Sequence, residues 1–157
     1  DAGCYCRNSF DDFWSGFNSS QWCIRMDDIA FLNPSKTAEV DNSIIEMLGI
    51  VNNVPFVPNQ ASLEAKGTTP VLAKLVVATT NTLHLNTTTY FACPLAVNRR
   101  LPYVINLKPK QEYLHSNQIF VDPSKLKCDE GDFPNFWEIE VMEIHPHWNR
   151  QGRTCRI

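Results

Sequence analysis

The order of apolar runs predicts an α/β fold built on a parallel sheet. Three observations carry this reading. Short apolar runs occur at Trp22–Met26 and Leu72–Thr80, a helical apolar spacing lies between them, and a polar cluster follows each run. In open α/β sheets ligands lie beyond the carboxyl ends of the strands, and Asp27-Asp28 and Thr79-Thr80-Asn81 occupy that place. With 157 residues, 43% hydrophobic and 20% charged, the chain suits a single domain spanning residues 1–157.

Residues 1–20 mix Gly, Ser, Asn and Asp with Phe10, Phe13, Trp14 and Phe17, which predicts a loop or short helix anchored by aromatics. Trp22-Cys23-Ile24-Arg25-Met26 then reads as a buried strand stopped by Asp27-Asp28. Arg25 interrupts it, so either its head snorkels to the strand edge or the strand is less buried than its neighbours imply. Asp41 can cap a helix over about 40–52, where Ile44, Ile45, Met47, Leu48 and Val51 fall near helical spacing and Gly49 is a modest cost. Pro55, Pro58, Gly67 and Pro70 make 53–70 a long loop or hairpin, a candidate binding element.

Leu72–Thr80 is the strongest strand, with β-branched Val76 and Val77. Pro94 can start a short helix through Arg99-Arg100, stopped before Pro102. Tyr103–Leu107 reads as another strand, 108–135 as polar and turn-rich, and Trp137–Ile144 alternates as a half-exposed strand does. Trp14, Phe17, Trp137 and Trp148 are expected to anchor the core rather than stack on bases.

Fourteen Lys and Arg against 17 Asp and Glu leave a net charge of −3, so contact with nucleic acid must come from a local patch. No apolar run approaches the roughly 18–20 residues that span a bilayer. Six cysteines and the sequons at Asn18 and Asn86 raise an alternative, a secreted cysteine-stapled binding domain. Six cysteines in 157 residues fall below the roughly 8–10% of disulfide scaffolds, which favours a reduced chain with Cys23 as a buried free thiol. His145, His147 and Cys128 or Cys155 are zinc-type ligands, but no C-x₂₋₄-C pair accompanies them.

Asp27-Asp28 at a strand end is what a magnesium nucleotide site needs: one carboxylate for the metal or its water, and a neighbour to polarise the attacking water. Asn81 places an amide beyond a second strand, where it could hydrogen-bond a water or a terminal phosphate, or simply form a turn. Arg99-Arg100 offers planar forks suited to phosphate oxygens, or a surface basic pair.

The order of these pieces is informative. The run "YCRNSFDDFWSGFNSSQWCIRMDDIAFLN" from Tyr5 to Asn33 is followed by "VNNVPFVPNQASLEAKG" at 51–67, "KLVVATTN" at 74–81 and "FACPLAVNRRLPYVINL" at 91–107. Together these blocks resemble the superfamily 3 RNA helicase of picorna-like viruses, nearest to the dicistrovirus type, over roughly residues 5–145. The resemblance implies a 2C-type AAA+ ATPase with the three-layer P-loop NTPase fold, a parallel sheet flanked by helices. It further implies ATP and Mg²⁺ as cofactors, RNA and other viral replication proteins as partners, and self-assembly as a hexameric ring.

By that resemblance Asp27 and Asp28 match the Walker B acids and hold Mg²⁺, and Asn81 matches the motif C sensor of the γ-phosphate. Arg99 and Arg100 match the arginine fingers that reach a neighbouring subunit, and Lys66 lies in the segment facing the central channel, where it would contact the RNA backbone. The implied setting is the host-cell cytoplasm at membrane-associated replication complexes, with membrane contact only through segments outside this sequence.

One part of the family pattern is missing. The six glycines never approach the spacing G-x-x-x-x-G-K-[ST], so these 157 residues hold no phosphate cradle. The sequence also begins at Asp1 rather than Met. It is therefore expected to be the downstream part of a helicase domain lacking its amino-terminal portion, inactive in hydrolysis by itself. The remaining alternative is a non-catalytic RNA-binding or scaffold element.

Overall fold

The computed structural model describes residues 2–36, 39–117, 119–127, 129, 135–149 and 152–156, with backbone alone for 148–149 and 152–156. Cys128 and the side chains of Trp148 and Cys155 therefore lie outside the described residues. Three short strands, β1 (Cys4–Arg7), β2 (Cys23–Met26) and β3 (Leu75–Ala78), form a parallel sheet in the order β1-β2-β3. The register runs from Cys4 opposite Cys23 and Leu75 to Arg7 opposite Met26 and Ala78, so all three strands end level.

The expected α/β character holds, but β1 replaces the loop or short helix expected at the amino end. Its four residues carry no apolar run of their own, and pairing with β2 makes them a strand. The two later runs are strands, as expected. Tyr103 and Trp137 do not extend the parallel sheet; β4 (Tyr103–Pro109) and β5 (Trp137–Glu143) pair antiparallel with each other as a separate ribbon. A second ribbon joins β6 (His145–Asn149) to β7 (Gly152–Arg156).

One face of the parallel sheet is covered. Helix α1 (Asn42–Ile50) lays Ile44 and Met47 against Ile24 and Met26, and Trp14, Phe17, Ile29 and Val97 complete the core. Trp14 stacks on Tyr5 with ring centroids 5.2 Å apart and meets Phe17 edge-on at 5.1 Å. Trp14 and Phe17 are thus the anchors expected, whereas Trp137 is 38% exposed and anchors no core. On the other face Cys6, Arg25, Leu75 and Val77 stand exposed, so the described residues supply only one of the two helical layers expected. That exposure accounts for Arg25: its strand is central, but its side of the sheet is open.

Asp41 caps α1 as predicted, its Oδ1 accepting the Ser43 N–H at 3.0 Å. Gly49 is more than a cost to the helix. A Cβ there would stand 3.0 Å from Cδ2 of Phe56, so the missing side chain lets the loop after α1 fold back on it. The short helices α2 (Thr87–Tyr90) and α3 (Pro94–Asn98) follow β3, and α3 begins at Pro94 as expected. No helix among the described residues is long and apolar enough to cross a membrane.

Candidate functional site

Because β2 and β3 are parallel and in register, the residues just past their carboxyl ends become neighbours. Asn81 Nδ2 donates to Asp28 Oδ1 at 3.1 Å. Thr79 joins the same group: its Oγ1 accepts the Asp28 N–H at 2.8 Å and donates to Asp27 Oδ1. Asp27, Asp28 and Asn81 are therefore one cluster, with the Thr79 hydroxyl between the two acids. The four groups are exposed at the sheet edge, and the two carboxylates are oxygen ligands of the kind a hard divalent cation takes. Among the described residues no group of three or more His, Cys, Asp or Glu side chains is placed to hold a metal.

The turn that carries the acids is held firmly. Asp28 and Ala30 lie in the left-handed region at φ of 50° and 61°, which costs energy for residues with a Cβ. Surrounding bonds maintain it. Ile29 N–H donates to Thr79 O at 2.8 Å, Ala30 N–H to Ser43 Oγ at 3.1 Å, and Leu32 N–H to Asp41 Oδ2 at 3.0 Å. From the far side Thr80 Oγ1 donates to Ile29 O at 2.8 Å, and Tyr90 Oη to Leu32 O at 3.3 Å. Burial raises the pKa of Tyr90, with the nearby Asp41 charge adding to the effect, so its hydroxyl keeps the proton it donates.

The sequence reading missed Thr79, Asp41, Ser43 and Tyr90 as supports of the acids. Only Asp41 carried a legible signal, as a helix cap. The Asn86 amide nitrogen donates to the carbonyls of Ala30 and Leu32, each at 3.4 Å.

The arginine pair lies elsewhere. Arg100 is half-buried, and its guanidinium donates to Val51 O at 2.8 Å through Nε and to Ala96 O through an η nitrogen. Arg99 is exposed. Val51 marks the carboxyl end of α1 and Asp41–Ser43 its amino end, so Arg100 and the turn that follows the acids are tied to opposite ends of a helix about 13 Å long. Lys66 lies outside the residues that line the cleft beside the acids. It is exposed in a tight turn, its N–H donating to Ser62 O at 3.1 Å, with Gly67 at φ 78° closing the turn.

A cleft of about 690 Å³ opens beside the acids, lined by Phe10, Arg25, Asp27, Asp28, Phe31 and Thr79 among others. One wall is the loop after β1, which a buried ion pair fixes: Arg7 Nε meets Glu46 Oε2 at 2.9 Å, and Trp14 Nε1 donates to Glu46 Oε1 at 2.9 Å.

The RNA helicase family model matches residues 1–82, just over half of the 157 residues and the part that contains Asp27, Asp28, Lys66 and Asn81. The chain belongs to the RNA helicase family. This helicase-family chain is also similar to the genome polyprotein of avian encephalomyelitis virus. Strains Van Reokel, L2Z and Calnek vaccine each show 29% identity over 142 residues, or 90% of this chain. The helicase-family chain spans about 6% of the length of these curated relatives.

Proposed function

We propose that the chain is part of a viral NTP-hydrolysing RNA helicase with the P-loop NTPase fold of the superfamily 3, 2C-type enzymes, and that it acts on RNA during genome replication in an infected host cell. The single observation that carries this reading is the Asp27–Thr79–Asp28–Asn81 cluster across the ends of β2 and β3. Family membership and the polyprotein relatives support it. The dicistrovirus affinity rests on the four sequence blocks quoted above. Sequence outside these 157 residues supplies the phosphate cradle, and the open edge of β3 is a place for its strand to pair.

The residues present fit magnesium and a triphosphate. Asp27 and Asp28 would hold Mg²⁺, which when bound neutralises phosphate charge. Thr79 donates to Asp27 and so fixes the direction of its free oxygen. Asp28 accepts from Asn81 on one oxygen and keeps the other to orient and polarise a water. The Asn81 amide has two N–H groups, and the one not spent on Asp28 can reach a terminal phosphate oxygen.

Because Arg100 is bonded at the far end of α1 and Arg99 beside it is exposed, Arg99 serves the site of a neighbouring copy in a ring, and Arg100 anchors the segment that presents it. Lys66 contacts the RNA backbone from its exposed turn. Other viral replication proteins and a membrane-associated cytoplasmic site complete the proposal.

The test is hydrolysis by the viral protein that contains this chain. Asp28→Asn and Arg99→Ala are each expected to lower turnover at least about 10³-fold, the scale of a trans arginine. Arg99→Ala subunits should regain activity when mixed with Asp28→Asn subunits, which contribute an intact arginine. Wild-type turnover by either variant, or no rescue on mixing, would refute the role assigned.

A further inference from the structure

We propose that Cys4 and Cys23 form a modification site, a dithiol that a hydroperoxide closes to a disulfide clasping β1 to β2. The parallel register sets Cys4 directly opposite Cys23 at the amino ends of the two strands. Paired strands lie about 4.8 Å apart, inside the roughly 4.4–6.8 Å between Cα atoms that a disulfide bridges. Both thiols are free, and they share a hydrogen bond.

The backbone holds this pair in place. Gly3 O accepts from Trp22 N–H at 3.1 Å and from Cys23 N–H at 3.2 Å, so the chain entering β1 is bonded to the chain entering β2. The Trp22 indole lies so close over Gly3 that a Cβ there would collide with the ring. The same register excludes the third thiol of the patch, because Cys6 stands opposite Arg25. Along an extended strand Cys6 is about 6.6 Å from Cys4 with its side chain parallel, beyond the roughly 3.5–4.5 Å that joined Cβ atoms need. Its diagonal to Cys23 is about 8 Å between Cα atoms, past the limit of about 7 Å.

Burial and access assign the two roles. Cys23 is buried, and burial raises its thiol pKa, with the hydrogen bond to Cys4 acting in the same direction, so it keeps its proton. Cys4 is half-buried on a strand that, among the described residues, pairs only with β2, and peroxide reaches it first. The Cys4 sulfur, as thiolate, attacks one oxygen of hydrogen peroxide. The O–O bond breaks, hydroxide leaves and takes up a proton as water, and Cys4 becomes a sulfenic acid. The Cys23 sulfur then attacks the Cys4 sulfur, and its proton leaves with the displaced hydroxide as a second water. Two thiols are oxidised by two electrons in total, and one peroxide is reduced to two waters. The clasp ties the strand that runs into the cleft wall to the strand that ends at the acids. It stands on the sheet alone and is independent of the hydrolytic reading.

For the test, the viral protein containing this chain is reduced, freed of reductant, exposed to hydrogen peroxide and alkylated with iodoacetamide. It is then digested without reductant and mapped by mass spectrometry. The expected product is a Cys4–Cys23 cross-linked peptide pair that dithiothreitol separates. In the oxidised protein the Tyr5 and Arg7 amides should exchange at least about fivefold more slowly. Dimedone, a trap for sulfenic acid, should label Cys4 at least about tenfold more in Cys23→Ala than in the wild type, since no second thiol consumes the intermediate. Cys6→Ala should form the cross-link as the wild type does. Circular dichroism checks the fold of each variant, and the wild-type map decides alone should Cys23→Ala misfold. The clasp is overturned by a cross-link through Cys6, by Cys4 and Cys23 each remaining singly alkylated after peroxide, by equal dimedone labelling in the two folded proteins, or by exchange that closure leaves unchanged.

Discussion

The Thr79 hydroxyl is the smallest group at the site with a structural job, since it accepts from the backbone of one acid and donates to the carboxylate of the other. Thr79→Val keeps its shape and β-branching, so the strand end should persist while Asp27 loses its fixed direction. Steady-state hydrolysis is expected to fall about tenfold, the scale of one hydrogen bond to a charged group, and Thr79→Ser should recover most of it. That the acids and Asn81 follow two apolar runs was legible in the sequence, because a parallel pairing of those runs brings the residues past their ends together. Thr79 was not, because a threonine after Val76 and Val77 reads as one more strand former. Arg100 shows the opposite limit: the sequence paired it with Arg99, but only three-dimensional placement shows its guanidinium held by the carbonyls of Val51 and Ala96.

Helix α1 and the β4–β5 ribbon show what elements add. Asp41 is buried and serves both as the cap of α1 and as acceptor for Leu32 N–H in the turn beyond the acids. Asp41→Ala should cost about 2 kcal/mol in urea unfolding, more than an ordinary exposed cap, because two backbone donors lose their partner in a buried setting. The cap was readable from spacing; the second bond was not, since it joins segments brought together only by the fold.

In the ribbon, the hydrogen bond from Lys108 holds the Glu140 pKa below the usual glutamate range, and those from Asn106 and the Lys108 charge act in the same direction. A depressed carboxylate contributes stability that is fully present above its unfolded value and lost as pH falls through the folded one. The Glu140 carboxyl carbon, followed by NMR, should therefore titrate below the ordinary glutamate midpoint of about 4.3 and move up toward it in Lys108→Ala. The alternation at Trp137–Ile144 made the ribbon strand legible, but alternation does not name a partner, so the pairing of β4 with β5 came only from the fold.

At the scale of the whole molecule, protection should be uneven. Strand β2 is hydrogen-bonded on both sides and carries the fully buried Ile24, whereas among the described residues β4 and β5 pair only with each other. Amide hydrogen exchange is expected to be slowest at Ile24, Arg25 and Met26 and at least about tenfold faster across the ribbon. Equal protection in both would contradict this division of the fold. The α/β class was legible because apolar runs and their polar ends recur in order. The uncovered face and the separate ribbons were not, because they depend on which surfaces lack partners, and local pattern does not encode that.

Helix α1 has one more consequence. Its amino end grips the turn behind the acids through Asp41 and Ser43, and its carboxyl end grips Arg100 through Val51. A rod of fewer than three turns, clamped at both ends, has no slack to absorb a shift. A displacement of the acid turn is therefore expected to reach the arginine segment. The acid turn and the segment that carries Arg99 are thus linked through one short lever.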